Sequence, residues 1–334
     1  MATIGQQALT LADLRSRFGE NSETGTIIEL LSQDNEMLKE MPWLEGNLPT
    51  GNRTVVRTGL PDVYWRQINA GVPDSKSKTA PITDATGMLE AWSEVDVKLV
   101  QMANDPVAFR LSEASAFIEA MGQQMAQTVI YGNDASNPAE FLGLAPRFST
   151  LNAAVPSSQN VIDAGGTGSD CVSIWLVGWG DRTVHGIYPK GARAGLNNED
   201  LGIETVKDPD GNKFRAYQSH FTWDAGISVR DWRYVVRIAN ISMDGLRNGT
   251  VDLVKLMIKA THRLQSRSGV KAAWYTNRTI AEYLDIQRIS AGEFGRVVEL
   301  GMQEYAGEKV MSFRGIPIRQ MDVLLDTEEA VTAA

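Results

Sequence analysis

The sequence predicts an α+β protein in which a long β-hairpin and one long helix precede a strand-rich second half. The helix signal covers about 26 residues from Pro106, where apolar residues recur every three or four positions. A polar, turn-rich segment at 71–78 separates strand-prone residues on either side, which is typical of a hairpin. Beyond residue 150, apolar and polar residues alternate in several short runs, as in half-buried strands.

The composition fits a folded chain of 334 residues with enough apolar side chains for a large core. Hydrophobic residues make up 43% and charged residues 22%, as in ordinary globular domains. No stretch approaches the roughly 18 consecutive apolar residues of a membrane span, so no membrane partner is expected. The N-terminal residues lack the features of a secretory signal. A single cysteine, Cys171, excludes an internal disulfide and fits a reducing cytoplasm.

The net charge of −9, from 32 Lys and Arg against 41 Asp and Glu, restricts the partners. A protein that condenses nucleic acid needs clustered cations to replace the counterions on phosphate. The sequence has neither a basic tail nor a dense basic run. If the protein surrounds a genome, another machine must drive the nucleic acid inside.

The first 50 residues predict an arm with short helices rather than a packed domain. A helix-period apolar stripe ends at Pro42. Its members are Ile27, Ile28, Leu30, Leu31, Met37, Leu38 and Met41. A short amphipathic helix needs a surface to pack on, and that surface belongs either to the same chain or to a neighbouring molecule.

Residues 51–100 predict a two-stranded excursion. A hairpin of this length is not stable alone in water, so it lies either against its own domain or across another subunit. The strand-prone residues are Val55, Val56 and Val63 to Trp65 on the way out, and Val95, Val97 and Leu99 on the way back.

Residues 105–132 give the clearest helix signal in the sequence. Asp105 is a suitable N-cap before Pro106, and Gly132 with Asn133 ends the helix. At 1.5 Å per residue it would be a rod of roughly 40 Å, which we interpret as a spine. The residues predicted to face inward are Val107, Leu111, Ala114, Ile118, Met121, Met125 and Val129.

The second half predicts strands interrupted by helices. We expect a strand at 172–177, a turn at 208–212 and a half-buried strand at 232–238. Two helices and one closing strand are expected at 251–264, 280–286 and 313–322.

Nucleophile and phosphate-binding motifs are missing from the sequence. It contains no P-loop and no GxSxG elbow, and the glycine-rich segment 165–168 is better explained as a flexible loop. Cys171 could form a thiol nucleophile with a histidine as base, but a small buried hydrophobe is the favoured interpretation. The histidines considered are His185, His220 and His262.

A metal site is not expected either. Residues 208–212 resemble the start of a calcium loop, but Lys213 stands where that loop requires Gly, and Ser219 where it requires Glu. A hairpin turn is favoured there instead. We therefore expect no metal, no cofactor and no enzymatic activity.

Six residues are candidates for contacts between subunits. Four lie on the predicted hairpin, and two share a helical face with His262. Solvation is the default for that face; a subunit contact or a light contact with a packaged genome is the alternative. The candidates are Lys76, Lys78, Trp65, Arg66, Lys255 and Lys259.

Short motifs run through nearly the whole chain, each of them weakly specific by itself. They are Asn35-Glu36-Met37-Leu38, Trp43-Leu44-Glu45-Gly46-Asn47, Thr58-Gly59-Leu60-Pro61 with Trp65-Arg66, Phe109-Arg110-Leu111-Ser112-Glu113, Tyr131-Gly132-Asn133, Phe141-Leu142-Gly143-Leu144-Ala145-Pro146-Arg147, Arg230-Asp231-Trp232-Arg233-Tyr234 and Gly315-Ile316-Pro317-Ile318-Arg319. Together and in this order, they resemble the major capsid proteins of tailed bacteriophages that share the Hong Kong 97 coat-protein fold.

The resemblance implies a division of the chain into four parts. In such proteins the axial domains meet around five-fold and six-fold centres, the extended hairpin (E-loop) lies over an adjacent subunit, and the arm ties neighbours together. The parts would be an N-terminal arm at 1–50, the E-loop at 51–100, a peripheral domain at 101–164 and 306–334 with spine helix 105–132, and an axial domain at 165–305.

The implied function is that of a non-catalytic head protein that self-assembles into an icosahedral shell around phage double-stranded DNA, without sequence specificity. Its partners would be other copies in pentamers and hexamers, a portal and a scaffolding protein, with a cementing or decoration protein as a further candidate. The implied location is the virion capsid, assembled in the host bacterial cytoplasm. No residue matches the lysine–asparagine cross-link of one branch of the family.

Three alternatives stay open at this point. An encapsulin shares the fold but encloses cargo enzymes, and would have an N-terminal helix shaped to hold cargo. A cytoplasmic α+β enzyme would need a convergent acid, base or nucleophile set. A tail or baseplate protein is a third option, although the order of arm, hairpin and spine does not suit it.

Overall fold

The computed structural model is built around a twelve-stranded mixed sheet, and a separate two-stranded hairpin projects from it. It describes residues 33, 35–103, 105–208, 210–293, 300–305 and 308–333.

The described residues form seven α-helices and fourteen strands. The α-helices are α1 Met37–Glu40, α2 Val97–Met102, α3 Pro106–Tyr131, α4 Leu144–Arg147, α5 Met243–Arg247, α6 Leu253–Arg263 and α7 Arg278–Glu293. The strands are β1 Trp43–Glu45, β2 Gly51–Gly59, β3 Lys78–Ala85, β4 Gly87–Asp96, β5 Val161–Asp163, β6 Cys171–Trp179, β7 Val184–Tyr188, β8 Asn197–Lys207, β9 Lys213–Val229, β10 Val235–Ser242, β11 Lys271–Thr276, β12 Leu300–Tyr305, β13 Glu308–Phe313 and β14 Ile316–Gln320.

Strand β6 lies in the middle of the sheet and is buried on both faces. Side chains alternate along a strand, so Ile174 and Leu176 point into one core with α6 and α7. Trp175 and Val177 point into a second core with the C-terminal half of α3. The strand predicted at 172–177 is confirmed. Because both of its faces are covered, it needs a nearly continuous run of apolar residues.

The long helix α3 is confirmed almost to the residue. It runs for 26 residues from Pro106, and the Asp105 carboxylate accepts hydrogen bonds from the backbone N–H groups of Val107 and Ala108. The predicted inner face is correct for Met121, Met125 and Val129, which are buried. It is wrong for the N-terminal half, where Val107, Leu111 and Ile118 are exposed. No described helix is long and apolar enough to cross a lipid bilayer.

The predicted hairpin exists, but its return strand is a different one. Strand β2 pairs with β3, and Gly51 lies opposite Ala85. Val95 belongs to β4, which pairs with β9 of the main sheet. Val97 and Leu99 are in α2, because Asp96 caps a helix there and ends the strand alternation. Residues 63–65 form no strand; they lie in the exposed segment between β2 and β3.

Two predictions in the second half need correction. Trp232–Tyr234 is a 3-10 turn, started by the side chain of Asp231, and the strand begins only at Val235 and is buried rather than half-buried. The single closing strand at 313–322 is in fact a hairpin of β13 and β14. Its turn contains Arg314 and Gly315, both with positive φ, and a straight strand cannot pass through that conformation.

The remaining elements follow the sequence pattern. The turn at 208–212 joins β8 to β9, with a hydrogen bond from Asp208 N to Asn212 O. The helix expected at 251–264 is α6, capped by Asp252. The helix expected at 280–286 is longer and forms α7. Segment 165–168 is a loop, as predicted.

The end of the predicted arm packs on its own chain. Met37 and Met41 are buried in the core, and β1 pairs with β7 in parallel register. Helix α1 ends at Glu40, shortly before Pro42. Residues 37–45 of the arm therefore pack on the surface of their own chain. The earlier half of the apolar stripe, at 27–31, lies outside the described residues.

Candidate assembly surfaces

The segment 60–77, which we call the projecting loop, exposes apolar side chains. It joins β2 to β3 and holds itself together weakly, for example through a hydrogen bond from Ser75 Oγ to the carbonyl oxygen of Asp62 (2.7 Å). Trp65 is 104% and Ile68 92% exposed. Its other exposed apolar residues are Leu60, Val63, Tyr64 and Val72. Such a patch is typical of an interaction site.

The root of the hairpin is fixed firmly to the body. The buried carboxylate of Asp84 on β3 forms a salt bridge of 2.8 Å with Arg147 of α4, and Ser228 Oγ donates to its other oxygen. Arg147 also donates to the carbonyl oxygen of Leu142. Gly51 approaches the Asp84 backbone so closely that a Cβ would lie 2.1 Å from its carbonyl oxygen. The hairpin is therefore rigid at the root and uncovered at the tip.

A second uncovered apolar surface, the helix stripe, lies on the N-terminal half of α3. It consists of Val107, Leu111 and Ile118, of which Val107 is 76% and Leu111 70% exposed. Exposed Met102 lies just before this helix. The helix is held from its other side, where Phe109 enters a small core and Arg110 bonds to Asp200 of β8 (2.8 Å). The stripe continues the line of Met121 and Met125, but the described part of the chain leaves it exposed.

The six candidate contact residues fall into two separate groups. Lys76, Trp65 and Arg66 are exposed on the projecting loop, and Lys78 is exposed at the start of β3. Lys255 and Lys259 are exposed on α6, opposite its buried face of Leu253, Leu256 and Met257. The sequence reasoning missed the helix stripe and the ion pair at the hairpin root. An apolar residue with helical spacing gives no sign of whether a cover is present, and Asp84 and Arg147 are too far apart in sequence to be paired by pattern.

Of the considered catalytic residues, Cys171 and His185 lie in the core, whereas His220 is half-buried and His262 is exposed. Cys171 on β6 is 1% exposed, and burial, with the neighbouring carboxylate of Asp170, raises the pKa of its thiol. Such a thiol stays protonated and is a poor nucleophile. His185 is also fully buried. Within the described ranges, no group of His, Cys, Asp and Glu could hold a metal ion.

These features are typical of the class of proteins that assemble with other copies or partners. A rigid body carries a firmly rooted projecting loop and a helix stripe, both apolar and both uncovered, as expected of a molecule that completes its packing with other copies.

Comparison with known proteins identifies the family. The model of the family described as major capsid protein GP7 matches residues 19–332. The chain is 32% identical to a chain in a structure of bacteriophage Epsilon15, with a TM-score of 0.80 and 100% coverage of both chains. No curated protein matches. The chain belongs to the GP7 major capsid protein family: it is a tailed-phage major capsid protein with the Hong Kong 97-type fold, a component of the virion capsid built from multiple copies.

Two further structures have lower sequence identity and lower TM-scores to this chain. The capsid of bacteriophage JBD30 is 10% identical, covers 88% of this chain and 92% of its own, and has a TM-score of 0.49. An encapsulin of Synechococcus elongatus is 11% identical, covers 70% and 97%, and has a TM-score of 0.43. The encapsulin alternative is the weaker one, because the match to the major capsid protein family spans most of the chain.

Proposed function

We propose that this chain is a non-catalytic shell subunit in which the projecting loop of one copy covers the helix stripe of the next, within pentamers and hexamers. This proposal depends on one observation: the projecting loop and the helix stripe are two apolar surfaces of one rigid body, and the described residues leave both exposed. Burying apolar area contributes roughly 25 cal/mol per Å². Many modest contacts, each reversible alone, add steeply once a closed shell forms.

Charge supports the assignment of the loop to a contact between copies. Residues 51–78 carry five cations against two aspartates, in a chain with a net charge of −9. Strand β8, which flanks the base of the helix stripe through Arg110 and Asp200, exposes Glu199 and Glu204. Opposite charges favour correct register more than raw affinity. Lys76, Lys78 and Arg66 are therefore the contact residues that we assign to an adjacent copy.

The enclosed genome is proposed to be double-stranded DNA held without sequence specificity. An acidic chain lacks the clustered cations that replace counterions on phosphate, so packaging depends on partners. We assign that task to a portal and a packaging machine, and the control of shell size to a scaffolding protein, with assembly in the host bacterial cytoplasm. The Lys255 and Lys259 face of α6 is the candidate for a light genome contact, and a decoration protein is a further partner.

The four-part division of the chain stays a proposal. The arm at 1–50, E-loop at 51–100, peripheral domain at 101–164 and 306–334, and axial domain at 165–305 fit the rooted hairpin and the spine helix. Strands β8 and β9 fall inside the proposed axial part, yet they pack on the spine helix, where the rings of Phe117 and Phe221 stack at 5.7 Å.

Electron microscopy of the protein, purified after co-expression with the proposed partners, tests whether it assembles into shells. We expect closed shells from the unmodified chain. Trp65→Ser should reduce the yield of shells severalfold while leaving the far-ultraviolet circular dichroism and the melting temperature of the subunit unchanged, because the ring contacts little in its own chain. The matched control is Gln67→Ser, two residues away, which removes no apolar surface and should assemble normally.

Two results would contradict the proposal. Discrete monomers or dimers that turn over a small molecule would show an enzyme. Loss of soluble, folded protein in Trp65→Ser would show that the loop belongs to the subunit's own core.

A further inference from the structure

Positive charge is concentrated along helix α6 and the bend that follows it. A lysine or arginine occupies every fourth position from Lys255 to Lys271, and residues 253–281 contain no aspartate or glutamate. This is the longest stretch of the chain without a carboxylate, and it holds six of the 32 lysines and arginines. The rest of the chain carries 26 Lys and Arg against 41 Asp and Glu. The segment is therefore opposite in charge to the protein around it.

The fold joins these cations to another one from a distant part of the chain. Lys255, Lys259 and His262 are exposed on α6, and Arg267 is exposed in the bend after it. Arg314, in the turn between β13 and β14, donates from Nη1 to Nε2 of His262 (3.2 Å). The carbonyl oxygen of Arg314 accepts a hydrogen bond from Nη1 of Arg267 (3.1 Å). We call these five residues the cationic strip.

The two lysines of the strip do not stabilise the fold. Lys255 lies in the first turn of α6, where the helix dipole favours an anion rather than a cation. Lys259 follows four residues later, so two like charges are neighbours on one helical face, which also destabilises a helix. Within the described residues, neither lysine forms an ion pair with a carboxylate. Charges that weaken their own helix indicate a ligand of opposite charge.

The surface around the strip fits a phosphate backbone better than a protein partner. The centre of a protein interface is apolar, but none of the large apolar side chains that the described structure exposes lies at 253–271. Leu256 and Met257 of α6 point into the core instead. The exposed neighbours Gln265 and Ser268 are polar, and such side chains accompany lysine and arginine in contacts with phosphate.

We propose that the cationic strip binds the phosphate backbone of packaged double-stranded DNA without reading its base sequence. The inference rests on the proposed function and deepens it, because it assigns the genome contact to a continuous surface built from two distant segments. Lys255 and Lys259 are separated by about 6 Å along the helix axis, a distance over which each strand of a DNA duplex carries about two phosphates. The acidic remainder of the chain repels DNA, so the contact is confined to the strip.

The position of the strip leaves the proposed contacts between copies free. Helix α6 packs on the face of β6 that carries Ile174 and Leu176, whereas α3 packs on the opposite face. DNA on the strip therefore does not compete for the helix stripe of α3. The two surfaces can serve the two partners of a shell subunit, its own copies and the enclosed genome.

The salt dependence of DNA binding by unassembled full-length subunits tests the contact. With a labelled duplex of about 20 base pairs, three phosphate contacts predict a slope of log K against log salt of about −2.7. Lys255→Gln with Lys259→Gln should weaken binding about tenfold at about 50 mM salt and make the slope shallower by about 1.8. The matched control is Lys207→Gln with Lys213→Gln, which removes two exposed charges where β8 pairs with β9. It should change neither value.

Two competitors identify the kind of ligand. A duplex of unrelated sequence should displace the labelled duplex equally well, because phosphate contacts carry no base information. Poly-glutamate should compete poorly, because it lacks the dense phosphate charge that releases counterions on binding. Tighter binding of poly-glutamate than of the duplex would assign the strip to an acidic protein and overturn the DNA assignment.

Acetylation of assembled particles with an amine-reactive reagent provides the second measurement. Lys255 and Lys259 should be modified severalfold more slowly in DNA-filled particles than in emptied ones, whereas Lys207 and Lys213 should react equally in both. Equal modification of the strip lysines in both particles, or an unchanged slope in the double variant, would overturn the strip assignment while shells still form. Failure of the unmodified chain to form shells would instead overturn the proposed function.

Discussion

The imidazole of His185 lies inside the central sheet, on β7 opposite Ser228 of β9. Burial, reinforced by the nearby guanidinium of Arg230, lowers the pKa of His185 to about 4. In the unfolded chain the pKa of a histidine is about 6.5. The unfolded state therefore binds the proton first as the pH falls, so the neutral ring contributes stability above pH 6.5 that is lost towards pH 4.

Acid should destabilise the subunit through this residue. Between pH 7 and pH 4, we expect His185 to account for a loss of about 3 kcal/mol in the free energy of unfolding. His185→Gln should flatten the pH profile by that amount, whatever its absolute stability, in urea unfolding of unassembled subunits. His220→Gln is the control, because that ring is partly exposed, stacked on Trp92 at 4.0 Å and 3.2 Å from the carboxylate of Glu90. An unchanged slope in His185→Gln would show that other groups set the acid response.

Single residues differ in how far their structural role can be predicted from the sequence. Asp105 was predictable as a helix cap, because cap and helix are adjacent in sequence and the cap acts locally. Asp84 and Arg147 were not predictable as partners, since 62 other residues separate them and only the folded chain brings them to 2.8 Å.

The long helix shows the same contrast within one element. Its apolar stripe is continuous in sequence, yet Met121 is 3% exposed and Leu111 is 70% exposed. Periodicity identifies the side of a helix that is apolar, but the cover over each turn is supplied by distant elements. The C-terminal half meets the core of the same chain, while the N-terminal half extends beyond it.

The two halves of α3 should therefore respond differently to the same substitution. Met125→Ala should lower the free energy of unfolding by about 2–5 kcal/mol, because Met125 is 3% exposed and its truncation opens a cavity in a packed core. Leu111→Ala should change the stability by less than about 0.5 kcal/mol, but reduce shell yield. Chemical denaturation of unassembled subunits and electron microscopy measure the two effects. A large loss of stability in Leu111→Ala would mean that the stripe is covered within the subunit.

At the scale of the whole molecule, the C-terminal segment closes the structure. Glu328 is buried between the sheet and the end of α3, where it accepts hydrogen bonds from Arg237 (3.0 Å), Ser173 and Tyr131. Burial and the adjacent Glu328 carboxylate raise the pKa of Tyr131, so that its hydroxyl remains a donor. One carboxylate thus joins β6, β10 and α3.

Removing that charge should weaken the fold. Glu328→Gln leaves the buried guanidinium of Arg237 without its counter-charge, and we expect the free energy of unfolding to fall by about 3–5 kcal/mol. Glu329→Gln, at the exposed neighbouring position, should be neutral. Urea titrations of both variants provide the comparison. Equal stabilities would show that water or other polar groups compensate for the lost carboxylate.

By itself, the sequence determined the α+β class, the long capped helix and the presence of a hairpin, because caps, turns and apolar periodicity act over a few residues. The resemblance to phage coat proteins came from short motifs and their order along the chain. Only the tertiary structure decided which strands pair, that β4 joins β9 rather than β2, and which apolar surfaces are left uncovered. Pairing and burial depend on residues far apart in the chain. The chain entropy lost when these distant residues come together is compensated only when the whole core forms. Short sequence patterns therefore cannot predict strand pairing or burial.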